Sequence, residues 1–312
     1  MITIDSTLRH ALEVSGGDLI LTLDPALQGL PETAHGGSVL AVFDALAGVT
    51  SPREVCGIYR RRVPLGLPLT LLRTREDSIE TFVLSDQAGS VLVDGRVAPL
   101  AAADADDTAP SGAGGDGAGS RQPVLSGLTP RHVEGSISRD MASVVDERTY
   151  PLPISRACFA CGTDNELGLR ATLGFDADAV RGTWQPRAPF RRADGSLEPA
   201  ALTTLLDEAA FWLGVLATGE SGMTTELRVS LHGPAPFEAP VTVTGARGSV
   251  RPRNDDPRYQ ETEIVARVSG QVVATAHITF VVVRGAARRL VSGMLAINDP
   301  ECVRRVFPDY TR

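Results

Sequence analysis

The 312-residue sequence has little that would draw it to a nucleic acid or into a bilayer. Its 30 Lys and Arg are outnumbered by 38 Asp and Glu, giving a net charge of −8 and a pI near 5.2. No basic footprint for a polyanion or an anionic membrane surface results. No apolar run reaches the roughly 18 to 20 residues that a membrane helix needs. The first residues, MITIDSTLRH, lack the basic-then-apolar order of a secretory leader. Neither a G-x-G-x-x-G after a strand nor a phosphate-loop pattern is present, so no cofactor is expected. These absences lead to the expectation of a soluble, cytoplasmic protein with no nucleic-acid partner and no membrane insertion.

Cysteine is scarce as well. Cys56, Cys158, Cys161 and Cys302 are too few and too scattered for a secreted disulfide framework in a chain of this length. Cys158 and Cys161 form a single C-x-x-C. A zinc site would need two more ligands, and neither a second C-x-x-C nor an H-x3-H supplies them, so the pair reads as a turn or a redox-inert pair and no metal is expected.

What is present divides the chain. From Ala101 to Ser120 it reads AAADADDTAPSGAGGDGAGS, too poor in large apolar residues to offset the entropy of ordering. This marks a flexible linker, and the mixed stretch up to about residue 155 reads as an arm. The expected domains are 1–100 and 156–290, with 291–312 as a C-terminal tail.

On each side of the linker the same order of elements recurs. In the first half a strand at 19–26 and a helix at 37–48 precede REVCGIYRRRV, PLTLLRTRE, SIETFVLSD and SVLVDGRVAP. In the second, LRATLGF and AVRGTWQP precede a helix at 199–217, followed by TTELRVSLHG, PVTVTGARGSV, YQETEIVARVS and QVVATAHITFVVV. Pro64-x3-Pro68 and Pro236-x3-Pro240 each run into a strand, and each helix holds an acid, Asp44 or Asp207. One helix and several antiparallel strands per half predict an α+β fold in which a sheet wraps a helix, and the shared order predicts a duplicated domain.

His35-Gly36-Gly37, with Asp44 nine residues after the histidine on a helix ahead of antiparallel strands, resembles the hotdog-fold acyl-CoA thioesterases of the phenylacetate-pathway type. CFACGTDNELGLR (158–170) and LTTLLDEAAFW (202–212) carry the same resemblance in the second half. It implies a tandem hotdog whose halves form internally the dimer that family members build from two subunits, with further association left open. Each site would then take its helix N-terminus from one half and its acid from the other.

The residues suit that chemistry. A glycine in the first turn of a helix leaves an unobstructed N–H where the helix dipole adds positive charge, a ready oxyanion hole for a thioester carbonyl. A carboxylate about two turns along an apolar helix can activate water or attack the thioester itself. A glycine pair is also a plain turn, and an acid can simply face solvent. Yet Asp44 and Asp207 both stand between apolar neighbours, where an unpartnered carboxylate costs several kcal/mol.

Crossing the halves makes the two sites unequal. Counting nine residues back from Asp207 reaches Glu198, so Glu198-Pro199-Ala200 stands where the first half has His35-Gly36-Gly37. Proline has no N–H to donate. One expected site joins the Gly36 and Gly37 amides to Asp207, aided by Glu208 and by Thr224 or Thr225. The other has Asp44 facing Pro199 and is read as degenerate. His35 orients the turn and borders the substrate, as does Gln28. Arg60, Arg61 and Arg62, or Arg191 and Arg192, could meet the phosphates of coenzyme A, although solvated arginines are the plainer reading.

The leading function is therefore hydrolysis of an acyl-CoA or acyl-carrier thioester. A non-catalytic acyl-CoA sensor is the alternative. A hotdog hydratase or dehydratase ranks last, because no Asp and His stand five residues apart on one segment.

Overall fold

The structure, a computed structural model, describes residues 3–15, 18–49, 52–100 and 149–311. Most of the expected linker and arm lies outside these residues.

The first half runs α1 (Ile4–His10), β1 (Leu12–Ser15), β2 (Asp18–Thr22), α2 (Gly36–Leu46), β3 (Arg53–Tyr59), β4 (Pro68–Glu76), β5 (Ile79–Ser85) and β6 (Val91–Pro99). The second runs β7 (Tyr150–Pro151), β8 (Gly174–Phe175), β9 (Ala179–Trp184), α3 (Pro199–Thr218), β10 (Gly222–Leu231), β11 (Val241–Ala246), β12 (Arg251–Pro252), β13 (Tyr259–Val268) and β14 (Gln271–Val282), then α4 (Ala287–Leu295) and α5 (Pro300–Val306).

One antiparallel sheet spans both halves in the order β1-β2-β4-β5-β6-β3-β10-β14-β13-β11-β9-β8-β7, with β12 beside β13. Outward from the β3–β10 junction, the succession β3-β6-β5-β4-β2 on one side matches β10-β14-β13-β11-β9 on the other. The halves are thus related by a pseudo-two-fold axis through the junction, where Arg53 pairs with Leu231 and Ile58 with Glu226.

Alternation explains how the sheet wraps. Along β11 the residues alternate strictly between buried and exposed, and β13 does nearly the same, so each presents one apolar face inward. Against those faces lies α3, and α2 packs in the same way on β3 and β6. In α2 every residue from Gly37 to Asp44 is buried, and Val39–Phe43 give it an apolar surface all round. In α3 Pro199 occupies the first turn and Gly219 ends the helix with φ +69°. The helix is 20 residues long and apolar enough to cross a bilayer, but 83% of that stretch is buried inside the protein, as befits a core helix. It is the helix expected at 199–217, its apolar run broken by Asp207 and Glu208.

The helices cross closely. A Cβ on Gly37 would lie 2.5 Å from the Thr203 carbonyl oxygen, so only glycine permits this approach. The Thr203 hydroxyl donates to the Gly37 carbonyl at 2.8 Å. With Gly36 against Asp207 and the Asp44 charge felt at Glu198, α2 and α3 run antiparallel, each N-terminus meeting the middle of the other. The fold is the double hotdog that the resemblance implied.

The ends of the second half differ from the simple reading. Residues 287–306, read in part as a tail, form α4 and α5, and Phe307 is fully buried with its ring 6.5 Å from that of Trp212. Asn298 ties this segment to residue 154, accepting from the Ile154 N–H at 2.8 Å and donating to its carbonyl at 2.9 Å. Missed too was α1, which has only Ile4 and Leu8 as its apolar stripe but begins with a Thr3–Ser6 capping box.

Candidate active site

His35 caps α2, and the next two amides, Gly36 and Gly37, belong to the first turn, where no carbonyl of the same helix can accept from them. Asp207 projects from α3 into this turn. Its Oδ2 accepts from the Gly37 N–H at 2.9 Å and lies 3.1 Å from His35 Nδ1, and its Oδ1 accepts from the Thr224 hydroxyl at 2.7 Å. The carboxylate facing Nδ1 places a proton on that nitrogen, so the Gly37 amide, 3.2 Å from it, donates instead to Asp207. On the other edge of the imidazole, Nε2 meets Glu208 Oε2 at 3.4 Å, while Trp212 Nε1 donates to Glu208 Oε1 at 3.0 Å. The Tyr59 hydroxyl donates to the Gly36 carbonyl at 2.6 Å.

The electrostatics follow from this burial. Burial alone would raise the Asp207 pKa, but the charge of His35 and the hydrogen bonds from His35, Thr224 and Gly37 hold it below its ordinary value. For His35, burial pulls the pKa down, and the Asp207 charge with the bonds to Asp207 and Glu208 overcomes it, leaving the imidazole well above its ordinary value. At neutral pH the pair is an ionised carboxylate beside an imidazolium.

All of these residues except Gly37 line one cavity of about 440 Å³. One end is apolar, with Phe211, Trp212, Met223, Leu290, Met294 and Ile297, so α4 and the turn after it close a wall that the hotdog core lacks. Arg61, Arg62, Arg156 and Arg289 also border it.

The segment CFACGTDNELGLR builds another part of the wall. Asn165 donates to the Ala26 and Ala157 carbonyls at 2.7 and 3.0 Å and accepts from the Leu167 and Gly168 amides, and the Phe159 N–H donates to the Gln28 carbonyl at 2.6 Å. A Cβ on Gly162 would lie 2.3 Å from the Cys158 carbonyl oxygen, which makes the turn dependent on glycine. The result is that Cys158 and Cys161 face the cavity beside His35.

The structure therefore gathers Gly36, Gly37, His35, Asp207, Glu208 and Thr224 in one place. Thr225 is directed elsewhere, donating to the Thr279 carbonyl at 3.2 Å. Asp44 lies apart: Arg53 clamps it through two nitrogens, the Nη2–Oδ2 contact measuring 2.6 Å. Arg53 at the start of β3 thus takes toward Asp44 the part that Thr224 on β10 takes toward Asp207. Arg192 belongs to that far side as well, 3.9 Å from Glu198, and both border a small cleft or its rim rather than the main cavity. Arg191 pairs with Glu238 at the surface, and Arg60 pairs with Asp94 and is 57% exposed, so neither joins the cavity wall, whereas Arg61 and Arg62 do. Gln28 contributes its backbone carbonyl to the cysteine turn, and its side chain accepts from the Glu32 N–H at 3.4 Å. Sequence reasoning missed Tyr59 and Trp212, whose roles depend on which side of strand and helix faces the junction.

Two sheet-wrapped helices joined about a pseudo-two-fold axis, with the acid of one half at the helix N-terminus of the other, define a double-hotdog protein. No family model matches the sequence, and no curated protein sequence matches it. Solved structures do. A candidate thioesterase II from Thermobifida fusca YX superposes with a TM-score of 0.56 at 16% identity, over 91% of this chain and 100% of the other. A candidate thioesterase from Novosphingobium aromaticivorans gives 0.51 at 17% identity, over 88% and 98%. The CurJ dehydratase, solved as its inactive H978F mutant, gives 0.52 at 9% identity, over 90% and 96%. At such identities the likeness concerns the fold.

Proposed function

We propose that the protein hydrolyses an acyl thioester of coenzyme A or of a carrier protein at the site where Asp207 meets the N-terminus of α2. The observation that carries this reading is the buried Gly37 N–H to Asp207 hydrogen bond between the halves, beside a cavity that Gly36 and Asp207 line together with Phe211, Met223 and Leu290.

In this reading the thioester carbonyl takes the Gly36 and Gly37 amides, and Asp207 is displaced from Gly37. Losing that hydrogen bond makes the carboxylate more basic at the moment the oxyanion donors are engaged. Asp207 then draws a proton from water, the water oxygen bonds to the carbonyl carbon, and the C–S bond breaks with the proton passing to the departing thiolate. His35 keeps Asp207 aligned, and Thr224 fixes its second oxygen. The acyl group lies toward Phe211 and Met223, and the thiol-bearing arm leaves past Arg61 and Arg62.

A hydration or dehydration of an acyl thioester is the second reading. Its ranking rested on the lack of an Asp and a His on one segment, yet the fold sets His35 and Asp207 3.1 Å apart from opposite halves. Against it, both ring nitrogens of His35 already face carboxylates, so the imidazole is not free to take a proton from substrate carbon.

The test is a panel of short, long and aromatic acyl-CoA thioesters and their 2,3-unsaturated forms, followed both by thiol release and by loss of enoyl absorbance. Thiol release is expected with at least one. Enoyl loss without thiol release would transfer the assignment to a hydratase, and binding with neither signal would transfer it to a sensor.

A further inference from the structure

The Cys158–Cys161 turn is the strongest chemical feature that hydrolysis leaves unused. In the sequence it lacked the further donors that a zinc site requires, and the fold brings two of them from other elements. His35, Cys158 and Glu208 are buried, and one ligand atom from each lies within 4.8 Å of the other two; among the described residues no other such group of His, Cys, Asp and Glu converges. We propose that this cluster is a binding site for zinc, with His35 Nε2, Glu208 Oε2 and Cys158 Sγ as ligands and Cys161, on the same turn and the same cavity wall, as the neighbouring fourth donor.

The geometry is close to what the ion demands. With Zn–N and Zn–O bonds of about 2.0–2.1 Å, the tetrahedral edge between a nitrogen and an oxygen ligand is roughly 3.4 Å, and His35 Nε2 stands 3.4 Å from Glu208 Oε2. A sulfur at about 2.3 Å from the metal would lie roughly 3.5 Å from those atoms. Starting from within 4.8 Å of both atoms, Cys158 Sγ has at most about 1.3 Å to close, within reach of a χ1 adjustment.

Each proposed ligand is also oriented from behind, as metal ligands are. Asp207 faces His35 Nδ1 at 3.1 Å and keeps a proton there, so Nε2 is the nitrogen that would release its proton to solvent and take the metal. Trp212 Nε1 donates to Glu208 Oε1 at 3.0 Å, leaving Oε2. The Ala160 N–H donates to Cys158 Sγ at 3.3 Å, a bond that favours a thiolate. A mixed N, S and O donor set suits zinc over magnesium or calcium, which take oxygen alone. All four residues line the cavity, so the ion has a route in and can keep an open face toward it.

The site goes beyond the thioesterase reading, and its occupancy has a consequence there. A dication held by His35 Nε2 and Glu208 Oε2 would stand in the same cavity that Gly36 and Asp207 line. It would fill the cavity beside the thioester. Zinc is therefore assigned as an inhibitor of hydrolysis, not a participant.

The binding arm of the test does not depend on turnover. Full-length protein, reduced and freed of metal, is titrated with zinc chloride by calorimetry and with cobalt(II) by absorbance. One equivalent per chain and a thiolate-to-cobalt charge-transfer band are expected. Cys158→Ser and Glu208→Gln should each weaken binding at least tenfold, and Trp212→Phe, which removes only the N–H behind Glu208, about 10–100-fold. Cys56→Ser, on β3, should bind as wild type. No binding at equimolar metal, or binding unchanged in both Cys158→Ser and Glu208→Gln, overturns the site. Should Cys158→Ser fail to fold, the cobalt spectrum of wild type and the Glu208→Gln titration decide. In the second arm, equimolar zinc should lower wild-type hydrolysis at least tenfold with recovery in chelator, while Cys158→Ser runs at its own rate with or without zinc. Specific binding that leaves hydrolysis untouched overturns the inhibitory assignment alone.

Discussion

Asp207→Asn and Asp44→Asn should separate catalysis from stability in opposite senses. The asparagine at 207 fits the existing bonds: its carbonyl can accept from Gly37 and His35 where Oδ2 does at 2.9 and 3.1 Å, and its NH2 can donate to the Thr224 oxygen in place of Oδ1. What is lost is charge. A charge-assisted bond contributes about 1.5–3 kcal/mol to stability, and losing the base should cost a factor of about 100 or more in kcat. Asp44→Asn removes half of the buried, two-pronged Arg53–Asp44 pair, in which both side chains are under 10% exposed. Breaking such a pair costs on the order of 3 kcal/mol, a fall in Tm of roughly 5 °C for a chain of this size. Its kcat, measured well below the new Tm, should stay within about threefold of wild type, because Pro199 leaves that pseudo-equivalent site without an amide donor. Thiol-release kinetics and thermal denaturation on the same preparations read both quantities. If Asp207→Asn keeps more than a tenth of wild-type kcat, or if folded Asp44→Asn loses as much as Asp207→Asn, the crossed assignment of the site is wrong.

Other substitutions test neighbouring parts. A Cβ at Gly36 would lie 2.7 Å from Asp207 Oδ2, so Gly36→Ala should displace the carboxylate and lower kcat at least tenfold with little change in Tm. Gly37→Ala drives a methyl into the Thr203 backbone and should instead destabilise by about 1–3 kcal/mol, read from the urea midpoint. Glu198 is pushed up by burial, against the pull of Arg192, from an ordinary 4.5 to about 7. A carboxyl whose pKa rises on folding loses stability as pH climbs, so wild type should weaken between pH 4.5 and 7 by up to roughly 3 kcal/mol, at about 1.4 kcal/mol per pH unit. Glu198→Gln should flatten that slope in urea melts at pH 5 and pH 8, and an unchanged slope would show that Glu198 does not produce it. Met294→Ala, opening the α4 wall, should shift the acyl-CoA preference toward longer chains, as judged by kcat/KM across the panel.

Much of this was legible in the sequence because it rests on local patterns. The period-two strands gave the sheet, with Pro68–Glu76 predicted to the residue. The order of elements and the paired Pro-x3-Pro signals gave the duplication. His35 and Glu198 do occupy matching N-cap positions, so the count of nine residues back from each acid located the helix starts correctly. Chain-local chemistry also identified Gly36, Gly37 and Asp207 as parts of one site, once the halves were assumed to cross.

What local pattern could not supply is who meets whom across the junction. Arg53 bonding Asp44 depends on where β3 begins beneath α2, and Thr224 rather than Thr225 reaches Asp207 because alternate strand residues face opposite sides. Arg60 points to Asp94 while Arg61 and Arg62, in the bend after β3, border the cavity. The C-terminal wall formed by α4 could not be read from a segment whose anchor, Phe307, packs on Trp212 far back in the chain. The cysteine turn is the sharpest case. Its C-x-x-C spacing and Gly162 set the turn locally, and the Ala26 and Gln28 carbonyls of the first half tie it down. Only the packing of α2 against α3 sets His35 and Glu208 beside it, because side chains 173 residues apart become neighbours through the burial of helix surface and not through any spacing along the chain.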